Sequence, residues 1–393
     1  MILGFLLTAL YVPGISGAAT TPRWGLLAIG IPLLLLNRGG GKFTLVHLFG
    51  ALFLAWSAVS IAWSPNQLDS FNQLILWVIL AQAFVYGSQL EDLSPTFRGM
   101  AYGLLLSSVV IIISIWLPDF VLHYTPYAGL FINSGSLAEI TALVLIGLLY
   151  DGRGLVGRAA VPGIRGWNWH GISIALGLLP CIILPESRGA WLALVAAFTA
   201  LLWFKSKLSA LVLVALTALC ITYSFHIGFH TESVIQRLGM WHDAIGALTW
   251  RGHGLGSLWT DYPPLASAID IYKERPEHLH NDFLEVMFEI GPIGFAGMLA
   301  LVCGCIWNTS GTARLVFAGL FAESLVGFPL HMPCTGFVAA LCLGHLARSR
   351  ADIRDILRSR RILLCPSVAS DRCRANDNYG SEGGGGVPAG ASV

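Results

Sequence analysis

Apolar runs close to the length of a membrane span recur along almost the whole chain, and they limit what it can fold into. Hydrophobic residues make up 55% of the 393 residues, charged residues only 11%, and the mean hydropathy is +0.70. A bilayer offers no water to backbone N–H and C=O groups, so such segments cross it as helices. We therefore expect an all-α fold, a polytopic membrane helical bundle of about twelve transmembrane helices.

The expected spans are apolar stretches separated by short polar or glycine-containing segments. They fall at 1–11, 24–37, 43–63, 70–87, 98–117, 129–150, 170–184, 188–204, 208–226, 283–306, 312–328 and 333–347. The first has no basic residues before it and no small-residue cleavage site after it, so we interpret it as an uncleaved span and not as a signal peptide. The eight cysteines lie in apolar segments or in the tail, and we expect no structural disulfide.

Lysine and arginine are distributed unequally between the two sides of these spans. Seventeen fall on one side and six on the other, and cytoplasmic loops are the ones that collect positive charge. This bias predicts that both termini lie in the cytoplasm and that a large loop, 227–282, between the ninth and tenth spans faces the periplasm or the cell exterior. The six basic residues on the outer side are Arg23, Arg188, Arg237, Arg251, Lys273 and Arg275.

The chain divides into a transmembrane domain, 1–347, and a cytoplasmic tail, 348–393. The tail begins with basic residues spaced among apolar ones, which favours contact with the anionic inner leaflet. Its remainder is rich in glycine and serine, and we expect it to be disordered.

The outer loop contains a helical pattern followed by a glycine-rich break. Val234, Leu238, Trp241, Ile245 and Leu248 repeat at helical spacing, which predicts an amphipathic helix over 231–250 along the membrane surface. The sequence Arg251-Gly252-His253-Gly254-Leu255-Gly256 then ends that helix. It is either a backbone nest for an anion or a plain turn, since it lacks the strand and helix of a dinucleotide site.

Residues 277–282, Glu-His-Leu-His-Asn-Asp, form the polar centre of the chain. Asp282 and Glu285 have capping-box spacing, so we expect a helix to begin near Asp282. His280 then lies just outside a helix amino end, where the helix dipole disfavours an imidazolium and keeps the ring able to accept a proton. We therefore expect His280 to be a general base.

Cationic and buried polar groups complete the candidate set. Arg188, Arg237 and Arg251 have the bidentate chemistry that holds phosphate oxygens. Glu139 and Glu323 are ionisable groups inside spans, and each either serves the site or pairs with an arginine. The supporting candidates, expected near the base or lining its cavity, are Asn133, His278, Asn281, Glu285 and His331.

The motif inventory excludes several chemistries. His278 and His280 lack a convincingly spaced third ligand, so no metal site is expected. We find no phosphate-binding Walker loop, no H-E-x-x-H and no G-x-S-x-G. We accordingly expect no metal, no cofactor and no nucleic-acid partner.

Together these motifs resemble the carboxyl-terminal region of the O-antigen ligase and polymerase superfamily, over about 140–330. The residues that carry the likeness are Ser187-Arg188-Gly189, Arg237 with Trp241, the glycine-rich run 252–257, His278 to Glu285, Glu289 to Gly291, and Phe328 to Leu330. Arg251 departs from the pattern, in which proline commonly precedes the glycines.

The resemblance implies a metal-independent, inverting membrane glycosyltransferase that takes a glycan from undecaprenyl pyrophosphate. It implies that His280 activates an acceptor hydroxyl, of lipid A–core type for a ligase, while Arg188 and Arg237 hold the pyrophosphate. The expected partners are this lipid-linked glycan, an acceptor glycan or glycolipid, and membrane lipids. A polymerase using the same donor stays open, as does a flippase or transporter for lipid-linked sugars.

Overall fold

The computed structural model describes residues 1–12, 20–36, 43–117, 127–131, 133–150, 169–226, 231–262, 277–306 and 311–348. Within these ranges the regular secondary structure is helical. The helices are α1 (Ile2–Ala9), α2 (Thr20–Leu36), α3 (Leu45–Ser60), α4 (Gln67–Gln89), α5 (Ser94–Trp116), α6 (Ser134–Tyr150), α7 (Trp169–Leu178), α8 (Pro180–Ile183), α9 (Arg188–Lys205), α10 (Lys207–His226), α11 (Thr231–Gly246), α12 (Leu258–Asp261), α13 (Asp282–Ile306), α14 (Thr312–Ser324) and α15 (Pro333–Ala347). Single 3₁₀ turns cover Ile61–Trp63 and Pro329–His331.

Each expected span overlaps at least one helix, with 170–184 divided between α7 and α8, and the all-α prediction is confirmed for the described residues. Four helical stretches are long and apolar enough to cross a membrane: Leu45–Trp63, Gln67–Gln89, Ser94–Trp116 and Asp282–Ile306. Shorter apolar helices cover 20–36, 134–149, 172–183, 188–203, 207–223 and 333–347. The number twelve stays a prediction, and the tail 349–393 lies outside the described residues.

The outer surface of the bundle is apolar. On α10, large hydrophobic side chains such as Leu208, Leu211, Leu219 and Tyr223 are more than half exposed. Among the described residues, this helix packs mainly against α9. Exposed apolar surface of this extent is unfavourable in water and is typical of helices that face lipid.

Close helix packing brings distant parts of the chain together in the core. α4 packs against α15, α1 against α5, α9 against α14, and α3 against α13. A side chain at Gly344 of α15 would overlap the carbonyl oxygen of Phe84 in α4, so glycine lets these helices approach closely. The largest buried cluster includes Leu7, Phe97, Met100 and Phe337.

Helix α13 is kinked at Gly291, whose φ of 69° and ψ of 179° are not helical, and Pro292 follows it. Proline has no N–H to donate to Phe288, and the break also frees the next two carbonyls. All three find partners: the N–H groups of His253 and Gly254 donate to Phe288 and Glu289, and the Trp56 indole donates to Ile290. The glycine-rich segment therefore serves as a backbone clamp on this kink.

Helix α11 matches the amphipathic helix expected over 231–250 but ends at Gly246. Its apolar face buries Met240 and Ala244 against Leu279 and Phe288. The chain then turns, and the N–H of Ala247 donates to the carbonyls of Asp243 and Ala244. This packing fixes α11 beside the amino end of α13.

Candidate active site

A buried polar centre lies where α13 begins, beside the carboxyl end of α14 and the 3₁₀ turn before α15. It brings together His278, His280, Asp282, Glu285 and His331. The carboxylates of Asp282 and Glu285 are buried, and so is the ring of His331. These side chains come from two chain segments, 278–285 and the turn that contains His331, which only the tertiary fold joins.

The residue that caps α13 is Asn281 and not Asp282. The Asn281 Oδ1 accepts the N–H of Leu284 at 3.0 Å, the usual side-chain bond of a helix N-cap. The expected helix start near Asp282 is confirmed, but the capping pattern is shifted by one residue. Asp282 is released from the cap, and its side chain points into the protein interior.

Asp282 joins three segments through its carboxylate. Oδ2 accepts the Ser324 hydroxyl at 3.0 Å and the Leu330 N–H at 3.2 Å, and Oδ1 accepts Nδ1–H of His331 at 3.1 Å. Each bond reaches across more than 40 positions of the chain. The side chain therefore holds the start of α13 against the end of α14 and the following turn.

The Glu285 carboxylate lies between two imidazole rings. Its Oε1 is 2.9 Å from Nδ1 of His278 and 3.3 Å from Nε2 of His331, and its Oε2 accepts the Leu279 N–H at 2.9 Å. Trp241 of α11 donates its indole N–H to the Leu279 carbonyl at 2.7 Å. Both backbone polar groups of Leu279, its N–H and its C=O, are therefore hydrogen-bonded, and they fix the position of the loop that carries His280.

Both ring nitrogens of His331 face carboxylate oxygens, which accept hydrogen bonds and cannot donate them when ionised. A neutral imidazole carries one N–H, so only an imidazolium satisfies both contacts. Burial of His331 opposes its protonation, but the charges of Glu285 and Asp282 outweigh burial and raise its pKa to about 9. His331 is therefore a buried cation that balances part of the acid cluster.

His280 adopts a left-handed backbone conformation, with φ of 52°. Its ring is half-buried and meets the Phe328 ring edge to face, with 4.9 Å between centroids. Burial, then the positive charges of Arg237 and His278, lower the pKa of His280 to about 4, and Glu285 opposes them only in part. The ring is neutral at pH 7, as the sequence predicted, but burial is the main reason and not the helix dipole.

Arg188 and Arg237 flank one face of α11. Arg188, at the first position of α9, donates to the Ser233 hydroxyl at 3.1 Å, and Arg237 donates to the Val326 carbonyl at 2.7 Å. Ser233 and Arg237 are one helical turn apart, so both guanidinium groups lie along the same side of α11. Arg237 also acts electrostatically on His280.

Arg251 lies away from this pair. It is exposed, and its backbone packs at the α13 kink, where a side chain on Gly291 would overlap the Arg251 carbonyl carbon. Gly291 is about 14 Å along α13 from Asp282 at 1.5 Å per residue. Leu258 N–H and the backbone of Gly256 bind the Glu289 carboxylate. The glycine-rich backbone thus already binds an internal carboxyl group.

Asn133 is the N-cap of α6, since its Oδ1 accepts the Gly135 N–H at 2.6 Å, and it lines a cavity shared with His278 and His331. Glu323 is buried, and neither carboxylate oxygen has a hydrogen-bond partner among the described residues. Glu139 lies against Gly189, where an added side chain would contact its carboxylate. Arg237 interacts electrostatically with Glu139, which agrees with the second of its two expected roles, pairing with an arginine.

The fold also brings together possible metal-ligand atoms that are far apart in the sequence. One atom each of His278, Glu285 and His331 lie within 4.8 Å of one another, a donor set that can hold a metal ion. We assign this cluster as an ion-pair network because both nitrogens of His331 face carboxylate oxygens, at 3.1 Å from Asp282 and 3.3 Å from Glu285, whereas a metal ligand needs a free lone pair. His331 was expected only as a cavity-lining residue.

Two further residues of the site escaped the sequence reasoning. Phe328 stacks on His278, with 4.4 Å between ring centroids, and it also contacts His280, with 4.9 Å between centroids. Arg23 of α2 lines the same cavity as His278 and His331, although its position suggested only an outer-side charge. The signal available for Arg23 was a lone charge at the edge of an apolar run.

Apolar helices of span length, with a buried histidine and carboxylate centre at one end, define an integral membrane protein with an internal polar site. Residues 173–299, about a third of the chain, match the family model described as O-Antigen ligase. A comparison with curated proteins found no match. The matched region contains Arg188, Arg237 and His280, whereas Phe328 and His331 lie beyond it.

Proposed function

We propose that this protein is a ligase-type glycosyltransferase that moves a glycan from undecaprenyl pyrophosphate to an acceptor sugar hydroxyl. The supporting observation is a neutral, accessible His280 in the family region with Arg237 close enough to affect it. His280 is unprotonated at pH 7 and can accept a proton, and the nearby Arg237 can stabilise an anionic leaving group. This combination suits glycosyl transfer from an activated phosphate ester.

The reaction uses one base and one anion site. The acceptor oxygen attacks the anomeric carbon and loses its proton to His280 while the bond from that carbon to the pyrophosphate oxygen breaks. The electron pair leaves with the lipid pyrophosphate, whose growing charge Arg188 and Arg237 stabilise. Attack opposite the leaving group inverts the anomeric centre.

An apolar cavity next to the polar centre supports a lipid-linked donor. It has a volume of about 260 Å³ and lies among α3, α4, α13, α14 and α15. At one end it reaches Phe283, Ser324 and Leu330, beside Asp282, and at the other Phe43 and His47. An isoprenoid chain fits such a lining, and its head would then lie near the arginines.

The membrane arrangement that fits this chemistry has about twelve spans in the bacterial inner membrane. Both termini lie in the cytoplasm, and the outer loop 227–282 and His280 face the periplasm, consistent with the bias of lysine and arginine. The mechanism requires no metal. Transfer that survives treatment with a chelator supports this, while loss that zinc restores would reassign His278, Glu285 and His331 as ligands.

Glycan display in a deletion strain, resolved by length on a gel, tests the function. Full-length chains that stay on the lipid carrier at the outer leaflet support a ligase. Single repeat units on the acceptor would identify a polymerase instead. Lipid-linked glycan accumulating on the inner leaflet would identify a flippase.

A further inference from the structure

A second cavity, of about 380 Å³, is lined by Phe328, whose ring also contacts His280. It is enclosed by the first turn of α2, the start of α6, residues 277–278 and the segment 328–335. Its charged and ionisable lining residues are Arg23, His278, His331 and the exposed Glu277, and its neutral polar ones are Thr20, Asn133, Ser136 and Thr335. The reaction steps described above make no use of Arg23.

Arg23 is a buried cation without an acidic partner in the described part of the chain. Its side chain is 2% exposed, and its Nη2 donates to the carbonyls of Thr8 at 3.1 Å and Leu130 at 3.0 Å. Its guanidinium carbon lies 3.8 Å from the centre of the Phe131 ring. Backbone carbonyls and an aromatic face orient the guanidinium and stabilise it in part, but they carry no formal negative charge to balance it.

An uncompensated buried charge is costly, and the cavity is where a compensating charge can enter. Guanidinium prefers planar oxyanions, so the favoured group is a carboxylate or a phosphate. The hydroxyl and amide groups of the lining suit sugar hydroxyls, and Phe131 and Phe328 provide flat apolar surfaces. The lining therefore fits a sugar that bears an anionic substituent.

The position of the cavity separates this anion site from the donor site. Arg188 and Arg237 contact Ser233 and Val326 and do not line the cavity. Resting on the proposed function, we infer that the cavity binds the acceptor glycan, and that Arg23 recognises a carboxylate or phosphate substituent on it. His280 contacts Phe328, which lines this cavity, and it also lies near Arg237, so the base is close to both proposed ligand sites.

Thermal unfolding of the purified full-length protein tests this binding without any need for turnover. The probes are glucuronate, glucose 6-phosphate, inorganic pyrophosphate and neutral glucose, at matched ionic strength. The two anionic sugars should raise the midpoint of the wild-type protein and of Arg23→Lys, but not of Arg23→Gln. Arg348→Gln removes a charge that pairs with Glu91 outside the cavity, and it should respond like the wild type.

Two results would overturn the inference. One is equal protection by glucose and glucuronate, which leaves Arg23 no role in recognition. The other is protection by pyrophosphate alone that depends on Arg23, which assigns the cavity to the donor. Failed transfer with intact Arg23-dependent sugar binding would instead count against the proposed function.

A second variant guards against misfolding of Arg23→Gln. Ser136→Phe fills the cavity from α6 and keeps the charge of Arg23. It should abolish protection by the anionic sugars and raise the acceptor KM about tenfold or more, the size expected when a charged hydrogen bond is lost. Unchanged protection in a folded Ser136→Phe protein would contradict the inference.

Discussion

His331 Nδ1 lies 3.1 Å from Oδ1 of Asp282, and this contact joins the start of α13 to the turn before α15. Both partners are buried, and the other nitrogen of His331 meets Glu285. The pair therefore fixes the helix end from which the loop with His278 and His280 projects. Protonation of His331 should therefore affect both the stability of this ion pair and the position of His280.

The ion pair predicts a stability difference that depends on pH. The pKa of His331 is raised to about 9 from an ordinary value near 6.5, so its stabilisation is complete below pH 6.5 and is lost as the pH rises through 9. His331→Gln should lower the unfolding free energy by about 3–5 kcal/mol at pH 6. The gap to the wild type should shrink by pH 10, as measured by thermal unfolding in detergent.

The exposed His242 provides a control for this measurement. His242→Gln replaces a side chain that is 88% exposed, and it should unfold like the wild type at every pH. A gap for His331→Gln that is the same at pH 6 and pH 10 would show that His331 is not protonated in the folded protein.

The arginines should differ in their effect on the donor. Arg188→Gln and Arg237→Gln should each lower kcat/KM for the lipid donor about 10- to 100-fold, because each removes charged contacts to the pyrophosphate. Arg251→Gln should have little effect, since its backbone packs at the α13 kink. An Arg251→Gln defect as large as that of Arg237→Gln would restore the phosphate-binding role that the sequence suggested.

Arg237 should also set the acid limit of activity. Its positive charge is the second cause, after burial, of the lowered pKa of His280. Arg237→Gln should therefore move the acid limb of the pH–rate profile upward from about 4 toward 6.5, whereas Arg188→Gln should move it less. Identical acid limbs in wild type and Arg237→Gln would separate Arg237 from the base.

Gly291 should be the least replaceable residue of the α13 kink. Its φ and ψ fall in a region that is nearly exclusive to glycine, and a side chain would overlap the backbone of Arg251 and Gly252. Gly291→Ala should destabilise the protein by about 1–3 kcal/mol or more. Gly246→Ala, at a site with nothing within 4 Å, is the matched control, and equal unfolding midpoints would contradict the clamp.

The sequence predicted elements and local spacings well and long-range contacts poorly. Apolar runs located the helices because burial in lipid depends on composition, and the short interval 278–285 contains most of the site. The bond between Asp282 and His331 joins residues 49 positions apart, and that between Arg23 and Leu130 spans 107. Helix periodicity does not specify which faces meet, so neither the protonated His331 nor the Arg23 cavity could be inferred.

The N-cap of α13 shows that tertiary contacts can also override a prediction made from neighbouring residues. Asp282 and Asn281 are both good N-caps, and the sequence pattern favoured Asp282 through its spacing to Glu285. The fold uses Asn281 because Asp282 gains three partners in the interior. Tertiary contacts therefore decided between two locally similar choices.

Transfer by reconstituted protein tests the role of His280 most directly. His280→Asn removes the base and keeps a residue that tolerates the left-handed conformation at φ 52°, so loss of activity cannot be attributed to backbone strain. In proteoliposomes that contain undecaprenyl-pyrophosphate-linked glycan and acceptor, the wild type and His242→Asn should transfer glycan. His280→Asn should bind the donor normally and transfer none. Transfer at the wild-type rate by a folded His280→Asn protein would contradict the assignment of His280 as the base.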